Sequence, residues 1–220
     1  MQVVELILSF LTLAVVAWYT YLTHELLSTQ THQGFENKFF QLLRFHHDIV
    51  DAIQTRRLQG VGKIPLSQEP TYVNISGRSV FPMLYNDFVR DYGAEFEKNR
   101  HAPLDRLADE TYLGFYKRHQ DTLGHYFRNL YHLIKFVDNS SLDPSEKAFY
   151  THLVRAQLSS DELLLLFYNC HSPLGKEKFY PLIVKYALLE NMSQDNLAGQ
   201  RLKPPVDENS LYPPGAYGES

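Results

Sequence analysis

The run Leu6–Leu22, LILSFLTLAVVAWYTYL, contains no charged residue, and Val3 and Val4 extend it across a single Glu5. A helix rises 1.5 Å per residue, so about 20 apolar residues match the roughly 30 Å hydrocarbon core of a bilayer. Trp18, Tyr19 and Tyr21 sit near its C-terminal end, where amphipathic rings favour the headgroup level. A cleaved signal peptide would carry a basic stretch before the run and a small-x-small site after it; neither is present. A core helix apolar on every face is the other solution, but at the start of the chain the run reads as a transmembrane anchor over residues 1–24. Lys38 and Arg44 follow it, whereas only Glu5 and the amino group precede it. By the positive-inside rule the rest of the chain is cytoplasmic.

A chain of 220 residues, anchor included, has room for one ordinary domain. The net charge of −4 argues against nucleic-acid binding driven by overall charge and leaves a local basic site open. Cys170 is the single cysteine, which excludes an intramolecular disulfide and a cysteine-rich zinc site and fits a reducing compartment. Three N-x-S sequons, at Asn74, Asn139 and Asn191, are read as chance in a cytoplasmic domain.

Apolar spacing predicts an all-α architecture. Residues 34–57 carry Phe39, Leu42, Leu43, His46, Ile49, Val50 and Ile53 at helical intervals. Gly60, Gly62, Pro65 and Pro70 make 59–76 a loop. A helix is expected from about Arg78 to Tyr92, started by Ser76 and interrupted or delayed by Pro82. Another runs over 103–138, with a kink at Gly124. DPSE at 143–146 and SSDE at 159–162 are helix starts of capping-box type. The second opens on LLLLFYNC, apolar on nearly every face and therefore central. A last helix is expected from about Lys178 to Asn191. The domain then spans 25–192, and the proline-rich 193–220 reads as a disordered tail. No β-hairpin signal is visible.

Three blocks in order, LGHYFRNLYHLIKFVD, RAQLSSDELLLLFYN and KFYPLIVKYALLENM, resemble the AbiC-like phage abortive infection proteins of bacteria. FENKFFQLLRFHHDIVDAI and GRSVF are similar to that family's N-terminal half, so the resemblance covers roughly residues 34–192. It implies anti-phage defence by a protein of the bacterial inner membrane, in which an infected cell halts before phage is released. It implies no particular chemistry. The proline-rich tail lies outside the shared pattern. The partners it suggests are the membrane, a second copy of the chain (a homo-oligomer), and a phage component or partner defence protein. No cofactor is expected.

On a helix His125, Arg128, Asn129 and His132 share an arc of about 100°. This is either the solvated face of an amphipathic helix, a buried network around Arg128, or a site. As a catalytic set, His125 and His132 would move protons while Arg128 holds a phosphate, as in HEPN ribonucleases, which pair Arg and His in an R-x4–6-H pattern. RNLYH has three intervening residues, which is too few. Arg118 to His125 has six, yet with 11 Arg and 10 His about 1.5 such pairs arise by chance. As binding residues, Arg128, Asn129 and Arg155 stand out, with Asp138 or Glu162 expected to pair with a buried Arg155. Glu162 and Asp161 read as helix-start residues. His47 and Asp51 at i,i+4 could supply half of a metal site, but no second pair follows at a suitable spacing, so no metal is expected. Cys170 beside His171 reads as a buried structural thiol. Three functional classes follow: a non-enzymatic effector or sensor at the membrane, a membrane-tethered ribonuclease, and a scaffold unrelated to defence.

Overall fold

The computed structural model describes residues 2–58, 72–200 and 211–218. Two compact units divide it, residues 1–42 and 43–220. Helix α1 (Gln2–Ala52) runs through both without a break.

In the first unit α1 presents large apolar side chains outward. Phe10, Leu13, Val15, Trp18, Tyr19 and Leu26 are all more than 60% exposed. It is the one helix among the described residues long and apolar enough to cross a membrane. Its threonines fit that medium, because each hydroxyl donates to the carbonyl four residues back. Thr12 reaches Leu8 at 2.7 Å, Thr20 reaches Val16 at 2.8 Å and Thr23 reaches Tyr19 at 2.7 Å. Hydroxyls satisfied within their own helix carry little penalty in hydrocarbon.

The second unit is a helical bundle built from the end of α1, α2 (Val80–Lys98), α3 (Leu104–Asp138), α4 (Pro144–Arg155), α5 (Ser160–His171) and the short α6 (Tyr180–Lys185). The SSDE and DPSE starts behave as their sequences dictate. Asp143 accepts from Ser145 N and Glu146 N while Glu146 returns to Asp143 N, and Ser159 and Glu162 form the same reciprocal box. Every residue from Glu162 to His171 is buried, so α5 is the centre of the bundle. Rings from α2, α3 and α5 meet there: Phe88 lies 4.5 Å from Tyr168, 5.6 Å from Tyr112 and 5.6 Å from Phe115, centroid to centroid. Offset and edge contacts of this kind add to the area that the rings bury.

Several expectations are corrected. The helix expected to reach residue 57 ends at Ala52, and Gln54–Leu58 (β1) pairs antiparallel with Tyr72–Ser76 (β2), with Thr55 opposite Ile75. This is a hairpin without a local turn signal, because 59–71, which lie outside the described residues, separate the strands. Of the segment expected as a loop, only 72–76 is described, and it is β2. Gly77, at φ +62, turns the chain out of β2 and donates to Ile53 O at 2.9 Å. Pro82 occupies the first turn of α2, where a missing N–H costs nothing, so it neither delays nor breaks the helix. The irregularity in α3 falls at His119 (φ −118, ψ 17) and not at Gly124. It adjoins Arg118, whose side chain donates to Gly114 O at 3.1 Å and competes in the helical ladder there. The last helix stops at Lys185 because the chain turns left-handed at Ala187, φ 48.

Part of the stretch read as a disordered tail is ordered against the bundle. Residues 194–200 form a 3-10 helix, and the Tyr85 hydroxyl donates to Asn196 O and accepts from Ala198 N at 2.9 Å. Tyr212 is buried, donates to Phe167 O at 2.9 Å and stacks on Tyr180 with centroids 4.6 Å apart. Leu189 N donates to Ala216 O at 3.0 Å. Proline content suggested disorder, but the buried Tyr212, with its hydroxyl bonded to Phe167 O, helps repay the ordering entropy.

Candidate functional site

Two kinds of polar residue occupy the bundle: one is buried and bonded within the chain, with His46 Nε2 and Arg155 Nε left without a partner among the described residues, and the other faces out along α3. The buried set starts at Glu162, the third residue of α5. Its side chain is fully buried. It accepts from Ser159 N at 2.7 Å, from the Tyr126 hydroxyl at 3.1 Å and from Arg78 Nη1 at 3.4 Å. Arg78 also donates to Gln157 O. Burial, with the Glu162 carboxylate beside it, holds the Tyr126 hydroxyl well above its ordinary pKa. A buried carboxylate is tolerated when donors surround it, and three different segments supply these.

His46 continues the set. It is fully buried against Tyr126, ring centroids 5.2 Å apart, and its Nδ1 lies 3.1 Å from Asn129 Oδ1. That contact makes Nδ1 the protonated nitrogen, because an amide oxygen only accepts. Burial pulls the imidazole pKa down to about 4; the Asn129 bond opposes this, and the nearby His47 and Arg78 add to it.

Arg155 is buried on α4 and pairs with Glu190, while its Nη1 donates to Ala187 O at 3.0 Å. This corrects the expectation of Asp138 or Glu162 as its partner. Glu190 follows the end of α6 and is brought under α4 by the turn at Ala187. Asp138 instead gathers Lys185 at 2.7 Å, the Tyr186 hydroxyl at 2.9 Å and Lys135 at 2.9 Å. Desolvation opposes ionisation there, but those three donors win and hold the carboxyl well below the usual range. His171 bonds Asp109 through Nδ1 at 2.8 Å and joins α5 to α3. Cys170 is fully buried and burial pushes its thiol pKa up, which disfavours the nucleophilic thiolate. Among the described residues no three metal-ligating side chains converge.

The outward set is the α3 stripe. His125, Arg128 and His132 are exposed, and Asn129 turns inward to His46. Arg128 Nε donates to Gly124 O at 2.9 Å, and its Nη2 lies 3.4 Å from His125 Nδ1. Of the residues expected to bind, Asn129 and Arg155 thus engage their own chain, and Arg128 faces out. Arg118 pairs with Asp91 of α2 and not with His125. Sequence reasoning missed Arg78 and Glu190 altogether. It saw Glu162 as a helix start and as a possible partner of Arg155, and not as the acceptor for Tyr126 and Arg78.

Against known proteins, the family model described as putative phage abortive infection protein matches residues 118–197, the AbiC-like family that the sequence resembles. The matched range holds the second half of α3 and all of α4, α5 and α6, with the stripe, Arg155, Glu162 and Glu190. No curated protein and no solved structure matches the chain.

Proposed function

We propose that this is an anti-phage protein acting by abortive infection, anchored in the bacterial inner membrane by α1 with its bundle in the cytoplasm. The match over residues 118–197 carries the reading. The exposed apolar run of α1 supports the anchor, and Lys38 and Arg44 after it support the orientation. The protein works as a non-enzymatic effector or sensor, by oligomerising at the membrane or by engaging a phage component or a second defence protein. What supports this over the ribonuclease is the use of polar groups: within the matched region Glu162, Asp138, Arg155 and Asn129 are all engaged in packing.

The test is a plaque assay in a susceptible bacterium that carries the native operon. Phage yield should fall with the full chain and recover when residues 1–24 are deleted. Unchanged plaque numbers across a broad phage panel would contradict the defence reading. RNA cleavage during infection that depends on His125 or His132 would replace the effector with the ribonuclease.

A further inference from the structure

The antiparallel pair of β1 and β2 leaves a row of backbone groups unused along each outer edge. In such a ladder, residue pairs that exchange N–H···O bonds alternate with pairs that do not. Gly77 N donates to Ile53 O at 2.9 Å, one step beyond the Gln54–Ser76 pair. The bonded pairs are therefore Thr55 with Ile75 and Arg57 with Val73. Tyr72, Asn74 and Ser76 turn their backbone groups away from β1, as Gln54, Arg56 and Leu58 turn theirs away from β2. The Ser76 carbonyl opens the 3-10 turn Gly77–Ser79. Among the described residues no third strand joins the sheet, and nothing in the backbone pairs with Tyr72, Asn74 or the Ser76 N–H. This edge lies in the open: Tyr72, Val73, Asn74 and Ser76 are exposed and Ile75 is half-buried. Exposed edges are usually blunted by a charge, a proline or a bulge. Arg56 does this for β1, whereas YVNIS of β2 has neither charge nor proline and pairs without a bulge.

We propose that β2 is a dimerisation edge, at which two copies of the chain pair their β2 strands antiparallel about a two-fold axis through Asn74. This register sets every outward-turned residue opposite another one and uses the whole strand. Asn74 exchanges both bonds with Asn74 of the second copy, and each Ser76 N–H donates to the Tyr72 carbonyl across the axis. Val73 falls opposite Ile75 in a pair without backbone bonds, where side chains approach most closely, so two β-branched apolar groups meet. Self-pairing of β1 would instead set Arg56 against Arg56, and directly opposed like charges are destabilising. Pairing of β1 with β2 of the next copy would not close and would grow into a filament. The contact is short and therefore weak in solution, and anchoring both copies in one membrane raises their effective concentration. The proposal rests on the reading that the protein oligomerises at the membrane, and it names the surface used.

The experiment is sedimentation equilibrium of the full chain in a density-matched detergent, where a monomer–dimer equilibrium is expected. Asn74→Pro removes an N–H that β1 does not use, so circular dichroism should match the wild type. The same change removes both central bonds between the copies and should raise the dimer dissociation constant about tenfold or more. Val73→Lys leaves the backbone intact, should weaken the dimer severalfold and gives a second reading. In inner-membrane vesicles treated with a mild oxidant, Asn74→Cys should form a disulfide-linked dimer, since paired Cα atoms there would lie about 5.5 Å apart. Arg56→Cys should not, and the buried Cys170 stays silent. A dimer as tight in Asn74→Pro and Val73→Lys as in the wild type would overturn the β2 edge and leave oligomerisation through another surface. A monomer at every concentration, with no cross-link through position 74 in vesicles, would overturn both the edge and the oligomerising reading. Assemblies larger than a dimer that Arg56→Pro dissolves would overturn it in favour of β1 pairing with β2 of the next copy.

Discussion

α1 and α5 are the two segments of this chain that are apolar on every face, and the structure treats them oppositely. Leu163–Cys170 of α5 is buried on all sides by α2, α3 and the C-terminal segment, with the one buried acid of the helix, Glu162, surrounded by donors. The isoleucine, leucines and valines of α1 from Ile7 to Leu27 remain exposed, as does Val4. Apolarity states only that a surface avoids water; length and neighbours decide what replaces the water. Twelve residues are too few for a bilayer and suit a bundle core. The α1 run is long enough for a bilayer, and in the proposed assignment lipid covers it.

One substitution placed in both segments tests that contrast and has the largest expected effect. Leu165→Asp should prevent folding or accumulation, because an unpaired buried carboxylate costs several kcal/mol, comparable with total stability. Leu13→Asp should leave the melting of the bundle unchanged and reduce membrane retention, at an insertion cost of about 3 kcal/mol. Equal effects of the two on thermal melting would break the contrast.

Within the bundle, Glu162→Leu should destabilise by about 4 kcal/mol, since it strands the buried Tyr126 hydroxyl, removes the capping-box acceptor of Ser159 N and breaks the ion pair with the exposed Arg78. Denaturant unfolding of the variant against the wild type measures this. A shift below about 1 kcal/mol would show that the buried set is dispensable and that α5 is held by its leucines alone.

A smaller effect is expected from His46. Its pKa in the folded protein, about 4, lies below the ordinary 6.5. The unfolded chain therefore binds more protons between those values, and stability, complete above pH 6.5, falls as pH drops towards 4. The loss is about 3 kcal/mol at most. His46→Leu should flatten that part of the pH profile; an unchanged slope would place the titration elsewhere. The smallest effect belongs to the exposed stripe, where Arg128→Ala should change stability by about 0.5 kcal/mol or less.

How far these features were legible follows from their range in sequence. The two capping boxes and the buried α5 are written in four to ten consecutive residues, and each formed as read. Gly124 was chosen for the kink on propensity alone, but a tertiary contact of Arg118 with Asp91 and its local bond to Gly114 O accompany an irregularity at His119. β1 and β2 pair across a long connection that gives no turn signal. The partner of Arg155 was misassigned because Glu190 reaches it only after a left-handed turn at an alanine, which no local pattern announces. Of the stripe, the sequence showed the shared face, but it could not show that Asn129 turns inward while Arg128 folds back over Gly124.

In the proposed topology a single lipid-facing helix precedes a protein-packed bundle on the cytoplasmic side. Cysteine accessibility tests it directly, because Cys170 is buried with a raised thiol pKa and gives a silent background. Glu5→Cys and Arg106→Cys, both at exposed positions, would be treated with a membrane-impermeant maleimide in spheroplasts. Labelling is expected at position 5 in intact spheroplasts and at position 106 only after permeabilisation, with both proteins retained in the membrane after carbonate extraction. Release by carbonate, or labelling at 106 in intact spheroplasts, would contradict it.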